Sequence, residues 1–194
     1  VNLSGARALS ALKKDDLAEK MFTEASKTAL RSWAQEQTAY AQAVFYIQNN
    51  KFAHALTQID QFLEKNTPRS KHALFYFLKA TIHLNGLYPN HEAALAELNK
   101  GLDLNPQFDR ALKLKALVLE QQNKKDELVP VLKRIIEMDP QAALSKRLVS
   151  LLFELGRLDE AYATLAQLQE KTADFQYDLA LLSWKLKHNH RALN

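Results

Sequence analysis

Cysteine is absent from the 194-residue chain, and glycine and proline are scarce, at four and five residues. Without cysteine there can be no disulfide, no thiol nucleophile and no cysteine-ligated metal. So few turn-forming residues exclude a β fold of many strands, because its tight turns consume glycine and proline. No apolar run approaches the roughly 18 residues that a transmembrane helix requires, and no signal peptide is visible. These absences favour a cytoplasmic location.

Catalytic motifs are absent as well. The chain has no glycine-rich phosphate loop, no Gly-x-Ser-x-Gly turn and no metalloprotease helix pattern. Six histidines are present, but none of them has the spacing of a metal site; His188 and His190, for example, cannot share a helix face. We therefore expect no enzymatic activity, no metal and no cofactor.

The residues that are abundant are those that form helices. Apolar residues make up 47% and charged residues 25% of the chain, with a net charge of +4. Alanine, leucine, lysine, glutamate and glutamine dominate, and all have high helix propensity. The excess of positive charge is too small and too scattered to predict a nucleic-acid surface. The chain begins at Val1 and stops at Ala192-Leu193-Asn194, where a new helix pattern opens, so we expect it to be a piece of a longer protein.

A repeat of about 35 residues runs along the whole chain. Each period contains an apolar stripe in which the second residue follows the first by four positions and the third follows the second by three, so that all three lie on one helix face. A small residue about 12 positions earlier marks a preceding helix that the stripe would contact. The stripes are Ala18-Phe22-Ala25, Ala55-Ile59-Phe62, Ala94-Leu98-Gly101, Leu128-Leu132-Ile135 and Ala161-Leu165-Leu168, and the preceding positions are Ala6, Ala43, Ala80, Ala116 and Val149, with Ala180 in a sixth, incomplete unit.

Short phrases at the ends and turns of these units carry a resemblance to a known family. Asn105-Pro106 and Asp139-Pro140 close two units 34 residues apart, and the segment from Leu155 to Ala161 has the sequence of a helix end, a glycine turn and an acidic helix start. The pattern resembles the tetratricopeptide repeat (TPR), a helix–turn–helix unit of 34 residues. The resemblance implies an all-α fold, a right-handed superhelical solenoid of antiparallel helix hairpins, with about five repeats and a terminal helix.

The resemblance also implies a single domain over residues 1–194. Its units would span residues 1–31, 32–68, 69–106, 107–140, 141–173 and a partial 174–194. We expect helices near 1–12, 16–30, 33–49, 52–65, 70–85, 91–104, 108–122, 126–138, 142–155, 158–171 and 174–187. Pro89 should lie in an enlarged turn, and Pro130 should lie near a helix start that comes one residue late, where a missing N–H is tolerated.

In such a solenoid the first helix of each pair lines a concave groove, where binding usually occurs. The groove positions lie three residues before and one after the small residue of each first helix. We expect a non-enzymatic scaffold that binds a peptide or partner segment with apolar and acidic anchors. The candidate groove residues are Tyr40, Val44, Gln48, Phe77, Thr81, Arg110, Lys113, Lys146, Ser150 and Tyr177.

Two alternatives remain at this point. One is a structural assembly module, because the last helix would leave an apolar face of Leu179, Leu182 and Leu186 open to self-association. The other is an RNA-binding helical repeat, which would read one base per unit. It is the weaker alternative, because the equivalent groove positions form no recognisable code.

Overall fold

The expected all-α fold is confirmed. A computed structural model describes residues 3–29, 32–86, 88–167, 177 and 180–185. These residues form ten α-helices, a 3₁₀ turn at Ser70–His72, further helical residues at 177 and 180–185, and no strand. The helices are α1 Leu3–Ala11, α2 Asp15–Thr28, α3 Ser32–Gln48, α4 Phe52–Glu64, α5 Ala73–Asn85, α6 His91–Leu104, α7 Asp109–Gln121, α8 Lys125–Met138, α9 Ala142–Glu154 and α10 Leu158–Gln167.

Consecutive helices pack in pairs, and the pairs fall into two compact units. Unit 1 covers Val1–Phe108 and contains the hairpins α1–α2, α3–α4 and α5–α6. Unit 2 covers Asp109–Asn194 and contains α7–α8 and α9–α10. Each pair is joined by a short turn, so its two helices run antiparallel.

The predicted stripes form the buried faces of the second helices. In α2 the buried residues are the predicted Ala18, Phe22 and Ala25, and α4 likewise buries its predicted stripe. The stripes of α6 and α8 are buried within wider apolar faces. In α10, Ala161 and Leu165 are buried, while Leu168 lies outside the described residues. The apolar residues at helical spacing therefore predict which face of each second helix is buried.

Four of the five hairpins share one turn geometry. A residue just after the first helix takes a left-handed conformation, with φ between +54° and +72°, and the next backbone N–H donates to the carbonyl five residues earlier. Glycine adopts this conformation freely, asparagine tolerates it and lysine is strained by it. The four residues are Lys13, Asn50, Asn123 and Gly156.

The third hairpin has the enlarged turn that its sequence predicts. The turn lies between Asn85, where α5 ends, and His91, where α6 begins, and Pro89 is within it. Asn90 closes this turn, because its N–H donates to the His83 carbonyl at 2.9 Å. Its side chain then accepts from the Ala93 N–H at 2.9 Å, which caps α6.

A partly buried ion network joins α4, α5 and α6 within unit 1. Lys79 Nζ lies 3.0 Å from an Asp60 carboxylate oxygen and 3.3 Å from Glu97 Oε1, and Lys100 Nζ lies 3.0 Å from the same Glu97 atom. Burial opposes the charge on Lys79, but the contacts with Asp60 and Glu97 outweigh it and raise its pKa. The network links three consecutive helices. Its two central side chains, Lys79 and Glu97, are only 15% and 10% exposed.

The expectation for Pro130 was wrong. Helix α8 begins at Lys125, one residue before the predicted position rather than after it, so Pro130 lies in its second turn. The side chain of Pro130 is exposed. Proline there leaves the Asp126 carbonyl without its helical N–H partner, and on an exposed face water can take that place.

The expected roles in the sixth unit were also wrong where they can be examined. Ala180 is exposed, although its register position predicted a buried contact. Leu182 is 4% exposed, so it is not part of an open apolar face. Leu179 and Leu186 lie outside the described residues. The spacing of residues predicts a helix here, but it does not predict which face of that helix is buried by neighbouring parts of the chain.

Candidate functional site

Unit 1 contains a groove between α1 and α3, the first helices of its first two hairpins. Two cavities of about 360 and 520 Å³ line up along it, and Arg7 borders both. We call this surface the α1–α3 groove. Its walls comprise Leu3, Arg7, Ser10 and Ala11 from α1 and Trp33, Gln37, Tyr40, Ala41, Val44 and Gln48 from α3.

The α3 wall is one continuous helix face. Trp33, Gln37, Tyr40, Val44 and Gln48 follow one another at spacings of three and four, which places them on one stripe. From the first to the last, this stripe is about 22 Å long at the rise of an α-helix. That length suits an extended or helical peptide rather than a single small molecule.

The floor of the α1–α3 groove is a packed aromatic core. The rings of Phe22 and Phe45 are 5.3 Å apart and both residues are 2% exposed. Tyr40 is half-buried and meets Phe75 edge to face at 6.4 Å. Because these rings pack on rigid helices, the groove is held in shape by the core of unit 1.

A polar network fixes the end of α3 against α2. Tyr46 Oη donates to Glu19 at 3.2 Å, and Lys51 Nζ lies 2.7 Å from the other carboxylate oxygen of Glu19. The hydrogen bond from Lys51 holds the pKa of Glu19 below its ordinary value. Burial, together with the Glu19 charge, raises the pKa of the Tyr46 phenol. At neutral pH the carboxylate is therefore charged and the phenol is protonated, as this network needs.

The electrostatics of the α1–α3 groove come from Arg7. Its guanidinium has no ion-pair partner within the part of the chain that the structure describes, and no carboxylate lines either cavity there. The remaining walls are apolar, aromatic or neutral and polar. Trp33 is 57% exposed, so its ring offers a large apolar surface at one end of the groove. The surface can therefore receive apolar side chains along its length and a carboxylate at Arg7.

The structure places the sequence-predicted residues of unit 1 at two different locations. Tyr40, Val44 and Gln48 lie together in the α1–α3 groove. Phe77 is half-buried and its ring packs 5.5 Å from Phe108, while the Thr81 hydroxyl donates to the Phe77 carbonyl at 2.9 Å. These last two residues line neither cavity of the groove.

The predicted residues of unit 2 are mostly exposed. Arg110 is exposed, and Lys113 forms an ion pair with Asp109 at 2.9 Å on the same helix, which offsets part of its charge. Lys146 is exposed, and its carbonyl accepts from the Ser150 hydroxyl at 3.2 Å. Tyr177 is 69% exposed. Their role in binding stays a prediction.

Sequence reasoning missed Arg7 and Trp33. The rule that selected Tyr40 and Val44 would select Leu3 and Arg7 if it were applied around Ala6, so the first of these signals was available. Trp33 lies one further helical turn before Gln37, at the start of α3, and only its exposure in the structure marks it. Both belong to residue types enriched at binding hot spots.

Among the described residues, no group of three or more histidine and acidic side chains is placed to hold a metal ion. None of the helices described combines the length and the hydrophobicity needed to span a bilayer.

Comparison with known proteins identifies the repeat. Residues 40–107 and 90–143, together more than half of the chain, match the sequence profile of the tetratricopeptide repeat. The search of curated protein sequences found no match to this chain. Proteins built from TPR units are typically non-enzymatic scaffolds for protein–protein interaction.

Solved structures show the same fold at low sequence identity. MamA is 15% identical, with a TM-score of 0.59 over 82% of this chain and 89% of its own. YrrB, described as a TPR protein with an unusual peptide-binding site, is 17% identical, with a TM-score of 0.56 over 95% and 90%. A thermophilic TPR protein in Thermus thermophilus is 20% identical, with a TM-score of 0.52 over 94% and 97%. These likenesses concern the fold alone.

Proposed function

We propose that this chain, which belongs to the tetratricopeptide repeat family, is a protein-interaction scaffold that holds a peptide segment of its partner in the α1–α3 groove. The observation that carries the proposal is the association along one groove of exposed Trp33, half-buried Tyr40 and Arg7, which has no ion-pair partner among the residues described. Tryptophan, arginine and tyrosine are the residues that dominate binding energy at interfaces. YrrB, a structural neighbour described as having a peptide-binding site, supports the choice of a peptide.

The groove chemistry defines the peptide. The surface formed by Tyr40, Ala41 and Val44 fits two apolar side chains spaced along one helix face or in an extended chain. Arg7, between the two cavities, favours a glutamate or aspartate in the middle of the segment. Gln48, at the far end, supplies a donor and an acceptor for main-chain groups. We therefore expect an acidic residue flanked by apolar ones.

Selection from a random peptide library displayed on phage tests the proposal. We expect the unaltered protein to enrich peptides with an acidic residue between apolar residues. Each enriched peptide should then bind Arg7→Glu about tenfold or more weakly, because the change replaces a charge-assisted bond by repulsion. Trp33→Ala should weaken the same peptides. Binding can be measured by fluorescence anisotropy of a labelled peptide.

A matched control distinguishes a loss of binding at the groove from an effect of the altered net charge of the protein. Lys20 is exposed on α2 and lines neither groove cavity. Lys20→Glu makes the same charge change as Arg7→Glu, and it should leave binding unchanged. If the selected peptides bind all three variants as well as the unaltered protein, the binding surface lies elsewhere and the assignment of the α1–α3 groove is wrong.

A further inference from the structure

A third cavity lies on the opposite face of α3, and its chemistry differs from that of the two cavities of the α1–α3 groove. This cavity, of about 220 Å³, lies among α2, α3 and α4 and is lined mainly by side-chain amides. Ser26 forms one wall, and Ala39 and Phe62 contribute the apolar surface. We call it the amide pocket, and its amides belong to Gln35, Gln42, Gln58, Gln61 and Asn66.

Gln42 is the unusual member of the amide pocket. It is 4% exposed, and no hydrogen bond to its side chain occurs among the described residues. Gln58 and Gln61 also have no such partner there, whereas Gln35 donates to the Ala29 carbonyl at 3.0 Å and Asn66 to the Phe62 carbonyl at 2.7 Å. The Gln42 amide is not among the side-chain groups shielded from solvent in the described residues, so its donors and acceptor are open to the cavity. Water or a ligand group in the cavity can therefore complete its hydrogen bonds.

The amide pocket is independent of the α1–α3 groove. Gln35, Ala39 and Gln42 form their own stripe on α3, at spacings of four and three. Gln42 lies about 200° around the helix from Tyr40, which is on the groove stripe. No lining residue is shared by the two sites. Occupation of one site therefore leaves the other open.

We propose that the amide pocket binds an uncharged amide group of a peptide, either a main-chain peptide unit or the side chain of asparagine or glutamine. Each unpaired glutamine offers two N–H donors and one carbonyl acceptor, so the ligand must supply both acceptors and donors. An amide does so, whereas a carboxylate has acceptors only and would leave the glutamine carbonyls unpaired. Lys65 is the one charged residue among those lining the pocket, and it is exposed.

Side-chain NH₂ signals in a ¹H–¹⁵N correlation spectrum test this site directly. The probes are N-acetylalanine methylamide, which has main-chain amides only, N-acetylglutamine methylamide, which adds a primary amide, and N-acetylalanine, which ends in a carboxylate. We expect both neutral probes to shift the Gln42 and Gln61 signals saturably, and the tighter of them identifies the source of the amide. The Gln48 signals, on the opposite face of α3, should not move.

Two variants and a control complete the test. Gln42→Leu keeps a buried side chain of similar length and should weaken the neutral probes about tenfold. Gln61→Ala, at an exposed position, provides a second variant that leaves the core untouched, and it should weaken them too. Gln48→Leu should have no effect.

Three results would overturn the proposal. The first is that neither neutral probe moves the Gln42 signals. The second is that Gln42→Leu and Gln61→Ala bind the probes as the unaltered protein does. The third is that N-acetylalanine binds more tightly than both neutral probes. In the first case the pocket holds only water, for which its volume is sufficient. None of these results concerns Arg7 or Trp33, so the proposed function stands or falls separately.

Discussion

Ala161→Phe tests whether the apolar stripes are the contact surfaces of a helical repeat. Ala161 is 0% exposed on α10, which packs against α9. Ala163, two residues further along the same helix, is exposed. Phenylalanine costs the helix roughly 0.5 kcal/mol in propensity at either position. The difference between Ala161→Phe and Ala163→Phe therefore isolates the packing of one side chain.

The magnitude follows from the lack of space at Ala161. Other core residues of this hairpin, such as Leu152 and Leu165, are 0% and 3% exposed, so an added ring displaces packed side chains rather than solvent. Overpacking of this kind costs about 1–3 kcal/mol, or about a five- to 150-fold change in the unfolding equilibrium. At Ala163 the ring projects into water and this cost is absent.

Urea unfolding followed by circular dichroism at the helix band gives the comparison. We expect a lower midpoint for Ala161→Phe than for Ala163→Phe, with similar slopes, since the surface exposed on unfolding changes little. The pair Ala55→Phe and Ala53→Phe on α4 should behave in the same way, because Ala55 is 0% exposed and Ala53 is exposed. Coincident curves for the first pair would show that the register assigned to α10 is wrong.

Three further changes have defined outcomes. Lys13→Gly should raise the free energy of unfolding by up to about 1 kcal/mol, measured as a higher urea midpoint, since φ at Lys13 is +56°. Lys79→Met should cost about 1–3 kcal/mol by removing a cation from buried Glu97, and adding Glu97→Leu should recover most of the loss, as a double-mutant cycle in urea would show. Hydrogen bonds from Lys133 and Arg157 lower the pKa of Glu160. The contribution of Glu160 to the free energy of unfolding is therefore present above the ordinary carboxyl pKa, and it is lost as the pH falls through the lowered pKa of the folded state. Glu160→Gln should consequently reduce the fall in urea midpoint at acid pH.

The helices and their buried faces could be predicted because the information is local. A stripe such as Ala55-Ile59-Phe62 determines both the period of the helix and the side that turns inwards. The same reasoning failed at Pro130, because it assumed that proline must lie close to a helix start. Pro130 lies in the second turn of α8 on an exposed face, where water can replace the missing hydrogen bond. It also failed at Ala180, because burial there depends on which chain segment lies alongside and not on the helix itself.

The candidate site was only partly predictable for a similar reason. The register rule found Tyr40, Val44 and Gln48, whose positions on α3 follow from helical spacing alone. It could not predict the contact between Phe77 and Phe108, because that contact joins residues 31 positions apart. Gln42 is the extreme case. Hydropathy predicts an exposed residue, and only the packing of α2 and α4 around it makes it buried.

The composition of α3 bears on the proposal that two binding surfaces share this helix. Its 17 residues include a single charged one, Glu36, which pairs with Lys71, although a quarter of the chain as a whole is charged. Trp33 is nevertheless exposed on the groove stripe. A helix that only faced water would carry charges there, whereas the cores of protein interfaces are depleted in charge and enriched in aromatic residues. The scarcity of charge on α3 therefore supports the two proposals made for this helix, a groove for apolar and acidic groups on one side and a pocket for uncharged amides on the other.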